Sequence, residues 1–361
     1  MICSQQKTYK GHNGKVQSLA WNSDGTMLAS GSVDSNSLLW TVNQQDLVPL
    51  HPLRGHTEAV QSLCWNPTHP NYIATASTDK SVRIYDSRQN KSTGERVVTP
   101  GENINLSWSP NGKHIAVGND DDVITIIDTR KLQILYQNKY NFQVNEFGWN
   151  KSGNSFFMTA FGGDATNKTT GTVEIFQVNN TNENDATTTA TTTSSISQNN
   201  SNKSSQSEKL KLLNHQYTVQ CHTAACYCID FDPTGTLFAV GSADANVSLW
   251  TLQDLVCIDM IERHENPIRA LSFNYNGTLL ASGSEHKFID IASVPMVNGS
   301  NTGNDSSGGG GGGGGGDGES GNHVCRVNTN SLTNALQFHP TMNILAYADD
   351  SPGNVHVASF E

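Results

Sequence analysis

The chain has 361 residues and a net charge of −11, with 35% hydrophobic and 15% charged residues; both fractions lie below the soluble averages of about 45–50% and 25%. So acidic a chain is a poor non-specific binder of nucleic acid or anionic membrane, and no apolar run reaches the roughly 18 residues that a spanning helix needs. Seven cysteines, an odd number, argue against a disulfide scaffold and for a reducing compartment.

Residues Met1–Lys10 are polar and lack the apolar stretch of a signal peptide. From Val16 to Trp21 apolar and polar residues alternate, the period of a half-buried strand. A turn at Asp24-Gly25, a second apolar run at Met27–Ser32 and a third at Ser37–Trp40 follow. The unit then recurs. Trp21, Trp65, Trp108 and Trp149 are 44, 43 and 41 residues apart, and Phe231, Phe273 and Phe338 take the aromatic place further on.

Counting from these seven aromatics, Gly stands at +4 in Gly25, Gly112, Gly153, Gly235 and Gly277. His stands at −9 in His12, His56, His222 and His264; Thr99, Tyr140 and Thr329 hold that place in the other three repeats. Asp stands at +13 in Asp34, Asp121 and Asp244, and Asp79 is at +14 because His69-Pro70 lengthens its turn. The third-strand aromatic is Trp40, Tyr85 or Trp250.

Two intervals are too long, and each contains a polar tract: Asn, Thr and Ser at about 179–208, with a smaller expansion at Gly162–Gly171, and 298–321 with nine consecutive Gly at 308–316. Neither tract has an apolar face with which to build a blade.

Seven repeats of 40–45 residues, with Gly-His near the start and a Trp-Asp-like end, are the WD40 pattern. They predict an all-β, seven-bladed β-propeller as one domain. The repeats run at about 11–53, 55–98, 99–139, 140–220, 221–262, 263–328, and 329–361 plus 1–10. Leu47–Leu53 is the expected outer strand of blade 1, and Cys3–Lys10 that of blade 7, so the N-terminal strand closes the ring and removes its free edges. A buried Asp needs hydrogen-bond partners. The expected internal network comprises His12, Asp34 and Trp40 with Ser30 or Ser32; His56, Asp79 and Tyr85; Asp121; and His222, Ser242, Asp244 and Trp250.

Particular segments carry a closer resemblance. Gly101–Pro110 (Gly-Glu-Asn-Ile-Asn-Leu-Ser-Trp-Ser-Pro), Ile115–Asn119, Asp121–Thr125, Val144–Glu146, Gly241–Ala245, Val247–Trp250 and Phe288–Ala292 resemble the THO complex subunit 3 family, from about Lys10 to Phe360 apart from the tracts. The chain departs from that pattern in the two tracts and in Thr251 after Trp250. The resemblance implies a nuclear, non-enzymatic scaffold subunit of THO/TREX, which couples transcription to mRNA processing and export. Its partners would be other THO subunits and mRNA export factors, with mRNA held indirectly, and with no cofactor, membrane or small-molecule substrate.

No catalytic constellation stands out. Cys221-His222 with Cys226 and Cys228 invites a metal, but His222 is the repeat histidine and no second pair at zinc-finger spacing follows. The Gly run lacks a Lys-Ser/Thr and a strand–helix context, so it reads as a linker. Asp120–Asp122 reads as a turn carrying the repeat's own Asp. Two other functions compete. Tyr85-Asp86-Ser87-Arg88 and Asp128-Thr129-Arg130 approximate the Trp-Asp-x-Arg box of WD40 substrate receptors for cullin ubiquitin ligases, and Lys7, Lys10, Lys15 and Arg54 could form a patch that binds RNA directly. Both tracts follow third strands, so both hang from one face. The expected partner face is the opposite one, at Lys15, Ala59, Glu102, Gln143, Ala225, Pro267 and Leu332, just before each first strand.

Overall fold

The computed structural model describes residues 2–43, 46–89, 96–163, 169–179, 212–295 and 323–361. Among the described residues, 28 strands pair into seven antiparallel four-stranded sheets, and there is no helix. This is a seven-bladed propeller. The inner strands, in blade order, are Val16–Trp21, Val60–Trp65, Asn103–Trp108, Gln143–Trp149, Cys226–Phe231, Ile268–Phe273 and Thr333–Phe338. Blades 1 to 6 each use four consecutive strands. Blade 7 has three C-terminal strands, and Cys3–Lys10 pairs with Asn354–Phe360 as its fourth, from Cys3↔Phe360 to Lys10↔Asn354.

The inner strands share a device that no sequence pattern announced. Each slips register just after its first paired residue, or in blade 4 its second: Val16/Ser18, Val60/Ser62, Asn103/Asn105, Val144/Glu146, Cys226/Cys228, Ile268/Ala270 and Thr333/Ala335. A bulge leaves one residue unpaired and tightens the local twist. The skipped residues are Gln17, Gln61, Ile104, Asn145, Tyr227, Arg269 and Asn334; all but Ile104 line the central channel, and beside Ile104 it is Asn105 that does.

The core lies between blades. Seven hydrophobic clusters each join two neighbours. The cluster at the closing seam packs Val16, Trp21, Leu28 and Trp40 of blade 1 against Ala346, Ala348 and Val355 of blade 7. Closure is therefore both hydrogen-bonded and packed.

Two faces follow from this topology. First-to-second and third-to-fourth connections open on a lower face; second-to-third and blade-to-blade connections open on an upper one. The five repeat glycines at +4 all sit in lower turns at φ between 70° and 80°, a region that costs glycine nothing. At Gly112 a side chain would also meet Thr68 and Asn66 of blade 2. The expected tracts at about 179–208 and 298–321 lie in the segments 180–211 and 296–322, outside the described residues except for Asn179. They connect the third and fourth strands of blades 4 and 6, on the lower face. Of the expected expansion at Gly162–Gly171, residues 164–168 lie outside the described residues, and the rest end a long hairpin of Ser155–Gly163 and Thr169–Val178, paired out to Gly163↔Thr169.

Candidate functional site

In blade 1 the indole Nε1–H of Trp40 donates to Ser30 Oγ (2.9 Å), Ser30 Oγ lies 2.8 Å from His12 Nε2, and His12 Nδ1 lies 3.1 Å from Asp34 Oδ2. An indole N–H can only donate. The serine hydroxyl therefore gives its proton to Nε2, and Nδ1–H donates to Asp34. Burial lowers the His12 pKa, which keeps the ring neutral. Burial also pushes the Asp34 carboxyl up, but the N–H groups of Asn13 and Asn36 together with His12 outweigh it and leave its pKa low. In this way the second-to-third turn is tied to the blade's first residues.

Blade 2 repeats the arrangement with His56, Thr75 and Asp79: His56 Nε2 is 2.7 Å from Thr75 Oγ1 and Nδ1 is 2.9 Å from Asp79 Oδ2. Tyr85 replaces Trp, and its hydroxyl donates to the Arg54 carbonyl at 3.4 Å. Two sequence expectations need correction. In blade 5 the hydroxyl between His222 (2.8 Å) and Trp250 (2.7 Å) belongs to Ser248, not Ser242. Val240 holds the place that Ser30 holds in blade 1, and the hydroxyl has moved to its cross-strand partner, Val240↔Ser248 against Ser30↔Leu38. Ser242 instead caps the Asp244 N–H (3.2 Å). Asp121 joins no network. Its side chain is 65% exposed, with Lys139 at 4.0 Å, because Thr99 at the histidine position does not reach it and bonds Asn103 at 2.8 Å.

Sequence reasoning missed a second set of contacts, which stitch inner strands across blade boundaries. Glu146 Oε2 accepts the Ile229 N–H (2.9 Å), Asp230 Oδ2 that of Phe273 (2.7 Å), Ser272 Oγ that of Phe338 (2.9 Å) and Gln337 Oε1 that of Trp21 (2.6 Å). Each caps an N–H on the channel-side edge of the next inner strand, which no strand pairs. Burial raises the Glu146 pKa to about 8 and that of Asp230 to about 7, against the N–H groups each accepts. Only the polar residues three places past the start of Gln143–Trp149 and four places past the starts of Cys226–Phe231, Ile268–Phe273 and Thr333–Phe338 could have signalled this.

At the upper mouth, the carbonyls of Lys15, Ala59, Glu102, Ala225 and Pro267 accept the N–H groups of Val33, Thr78, Asp120, Ala243 and Glu285. Their side chains alone remain for contact. Glu102 and Gln143 are exposed, Lys15, Ala59, Pro267 and Leu332 half-buried, and Ala225 buried. Ala225 thus offers no surface, and Gln143 is the first residue of its strand rather than the one before it. Lys15 pairs with Asp350.

The WD domain, G-beta repeat family matches residues 3–41, 47–86, 99–128, 213–251 and 255–290. THO complex subunit 3 of Arabidopsis thaliana is 39% identical over 95% of this chain and 89% of its own length. The chain belongs to the THO complex subunit 3 family. More distant relatives are WD repeat-containing protein AAC3 of Dictyostelium discoideum, 27% identical over 75% of this chain and 53% of its own, and the U5 small nuclear ribonucleoprotein 40 kDa protein of the same organism, 36% identical over 36% and 37%.

For this THO complex subunit 3 family member, the competing chemistry has little to build on. Both His222 nitrogens are engaged, by Ser248 and Asp244, and among the described residues no group of three His, Cys, Asp or Glu side chains could hold a metal. Arg88 of the receptor-like box folds back on Asp86 at 2.9 and 2.6 Å. Within the proposed basic patch, Lys7 pairs with Asp46 (2.7 Å) and Lys15 with Asp350. Two of its four charges are thereby neutralised.

Proposed function

We propose that this protein is a non-enzymatic scaffold subunit of a nuclear THO/TREX complex, coupling transcription to mRNA processing and export. The observation that carries the reading is the 39% identity to THO complex subunit 3 across 95% of the chain. Other THO subunits and export factors are its partners, and mRNA is reached through them. A rigid ring with side-chain-capped inner strands suits such a role, since binding residues concentrate on turns held by a scaffold.

The upper face or a blade rim is the surface offered to the large partners. The reason is topological: the connections at 180–211 and 296–322 both leave from the lower face, and a partner lying flat there must displace them. Affinity purification of the tagged chain from nuclear extract tests the first reading; recovery of a cullin adaptor in place of THO subunits would replace it. Crosslinking of the assembled complex tests the second, which fails if crosslinks are confined to lower turns around Lys113 and Lys151.

A further inference from the structure

The lower face carries one feature that the scaffold reading leaves unused. Between blades 2 and 3 a cleft of about 450 Å³ opens beside Gly112. Tyr72, Ile84, Trp108 and Leu132 line it; Trp108 is buried and the other three are half-buried. They belong to one hydrophobic cluster, so they form an apolar floor. Lys113 and Arg130 stand at the rim, both exposed, with His69 opposite. Among the described residues no carboxylate lines the cleft. The nearest described acid of the same turn, Asp128, is buried; it accepts the N–H groups of Arg130 (2.8 Å) and Lys131 (3.0 Å), and its Oδ2 lies 4.0 Å from the Arg130 guanidinium, so Lys113 carries most of the rim's charge. Burial pushes the Asp128 pKa up, but those N–H groups outweigh burial and hold it low.

An apolar floor under a cationic rim selects a ligand with a large apolar group and a negative charge beside it. We infer that this cleft docks a short acidic peptide segment of another protein, an aromatic side chain seated on Trp108 and Tyr72 and a neighbouring carboxylate facing Lys113 and Arg130. A nucleic-acid strand fits less well. It must continue past the cleft over a chain of net charge −11, whereas a peptide needs the cleft alone. The chain's own connections at 180–211 and 296–322 contain no aromatic residue, and the branched Ile196, Leu210 and Val297 cannot stack on Trp108 and Tyr72 as a ring does, so an aromatic occupant comes from a partner. The site stands independently of which complex the chain joins.

The test is selection of random dodecapeptides by display on the full chain, then fluorescence anisotropy of the enriched peptides. The expected result is enrichment of an aromatic residue next to Asp or Glu, with affinity falling at least about ten-fold in Lys113→Glu and unchanged in the upper-face control Lys287→Glu. Both positions are exposed, and the melting temperature of each variant verifies its fold. The inference is overturned by three outcomes: no enrichment, enriched peptides whose binding ignores Lys113→Glu, or a labelled oligouridylate that binds more tightly than any peptide and loses affinity in that variant.

Discussion

The repeat aspartates provide a graded test of how the propeller is held. Asp79, Asp34, Asp244 and Asp121 occupy corresponding turns, yet their side chains are 3%, 12%, 17% and 65% exposed. Asp79 accepts from His56 (2.9 Å), Thr57 N–H (3.2 Å) and Ser81 Oγ (2.5 Å). Its replacement by Ala leaves the buried His56 Nδ1–H unpaired, worth about 1–3 kcal/mol, and strips two further donors that water can partly serve. A total of roughly 2–4 kcal/mol follows. At about 2.1 cal/mol/K of unfolding entropy per residue, a chain of 361 residues loses roughly 1.3 °C of melting temperature per kcal/mol, so Asp79→Ala should melt about 3–5 °C lower. Asp34→Ala and Asp244→Ala should follow in that order. Asp121→Ala should stay within about 1 °C, as befits an exposed ion pair. Differential scanning fluorimetry resolves these steps. Equal losses at Asp121 and Asp79 would mean that the turn itself, not the histidine beneath it, sets the cost, and the network argument would fall.

Further outcomes can be measured on the same preparation. Ser248→Ala should destabilise blade 5 by about 1–3 kcal/mol and Ser242→Ala by less; the reverse order would restore the assignment the sequence suggested. Removing Cys3–Lys10 should lower the melting temperature more than any single substitution above, since it exposes the edge of Asn354–Phe360; an unchanged melting temperature would exclude a latch. Glu146 and Asp230 have folded pKa values raised to about 8 and about 7, so the folded state holds protons that the unfolded state releases. Stability should then fall as pH rises from about 5 to 8, by at most ~1.4 kcal/mol per pH unit per group, and Glu146→Gln should flatten that decline; a decline equally steep in Glu146→Gln would place its origin elsewhere.

Period and punctuation made the ring legible. Trp and Phe spacing set the number of blades, the +4 glycines marked the lower turns, and the His–Asp offsets located the tetrad of blade 1 and the His–Asp cores of blades 2 and 5. The limits of that reading are equally physical. A hydroxyl can reach the same histidine from either of two cross-strand partners, so Ser248 was invisible to an offset rule that pointed to Ser242. Asp121 fits the offset, but an Asp without a histidine below it has nothing to hold. The stitching residues Glu146, Asp230, Ser272 and Gln337 share an N–H partner on the next blade and no residue type, so no pattern of identity could reveal them. The cleft at Lys113 joins turns from two repeats that are far apart in the count of any single one.

The blades that lack a tetrad solve the same mechanical problem with other groups. In blade 3 Asn103 donates to the Ser77 and Ser81 carbonyls at 3.2 and 3.1 Å and thereby ties the blade to blade 2. In blade 4 the buried Glu174 accepts from Thr172 (2.9 Å) and Thr218 (2.6 Å) and lies 2.8 Å from His215. In blade 6 the fully buried Asp290 takes Arg263 at 2.9 and 2.6 Å and lies 3.1 Å from His323. In blade 7 Asp349 lies 3.2 Å from His356, which meets Thr8 of the closing strand at 2.9 Å. In blades 4 and 6 one buried acid is satisfied by side chains of the surrounding strands, as burial of a charge requires; in blade 7 Asp349 Oδ1 takes His356 and the Ser351 N–H while its Oδ2 is buried without a hydrogen-bond partner. Fixing a blade is thus a constraint on charge compensation rather than on residue identity. It follows that the tetrad residues support the ring rather than contact partners: Asp79→Ala should weaken partner binding only as far as it unfolds the protein, whereas Lys113→Glu should weaken peptide binding in a protein that melts normally.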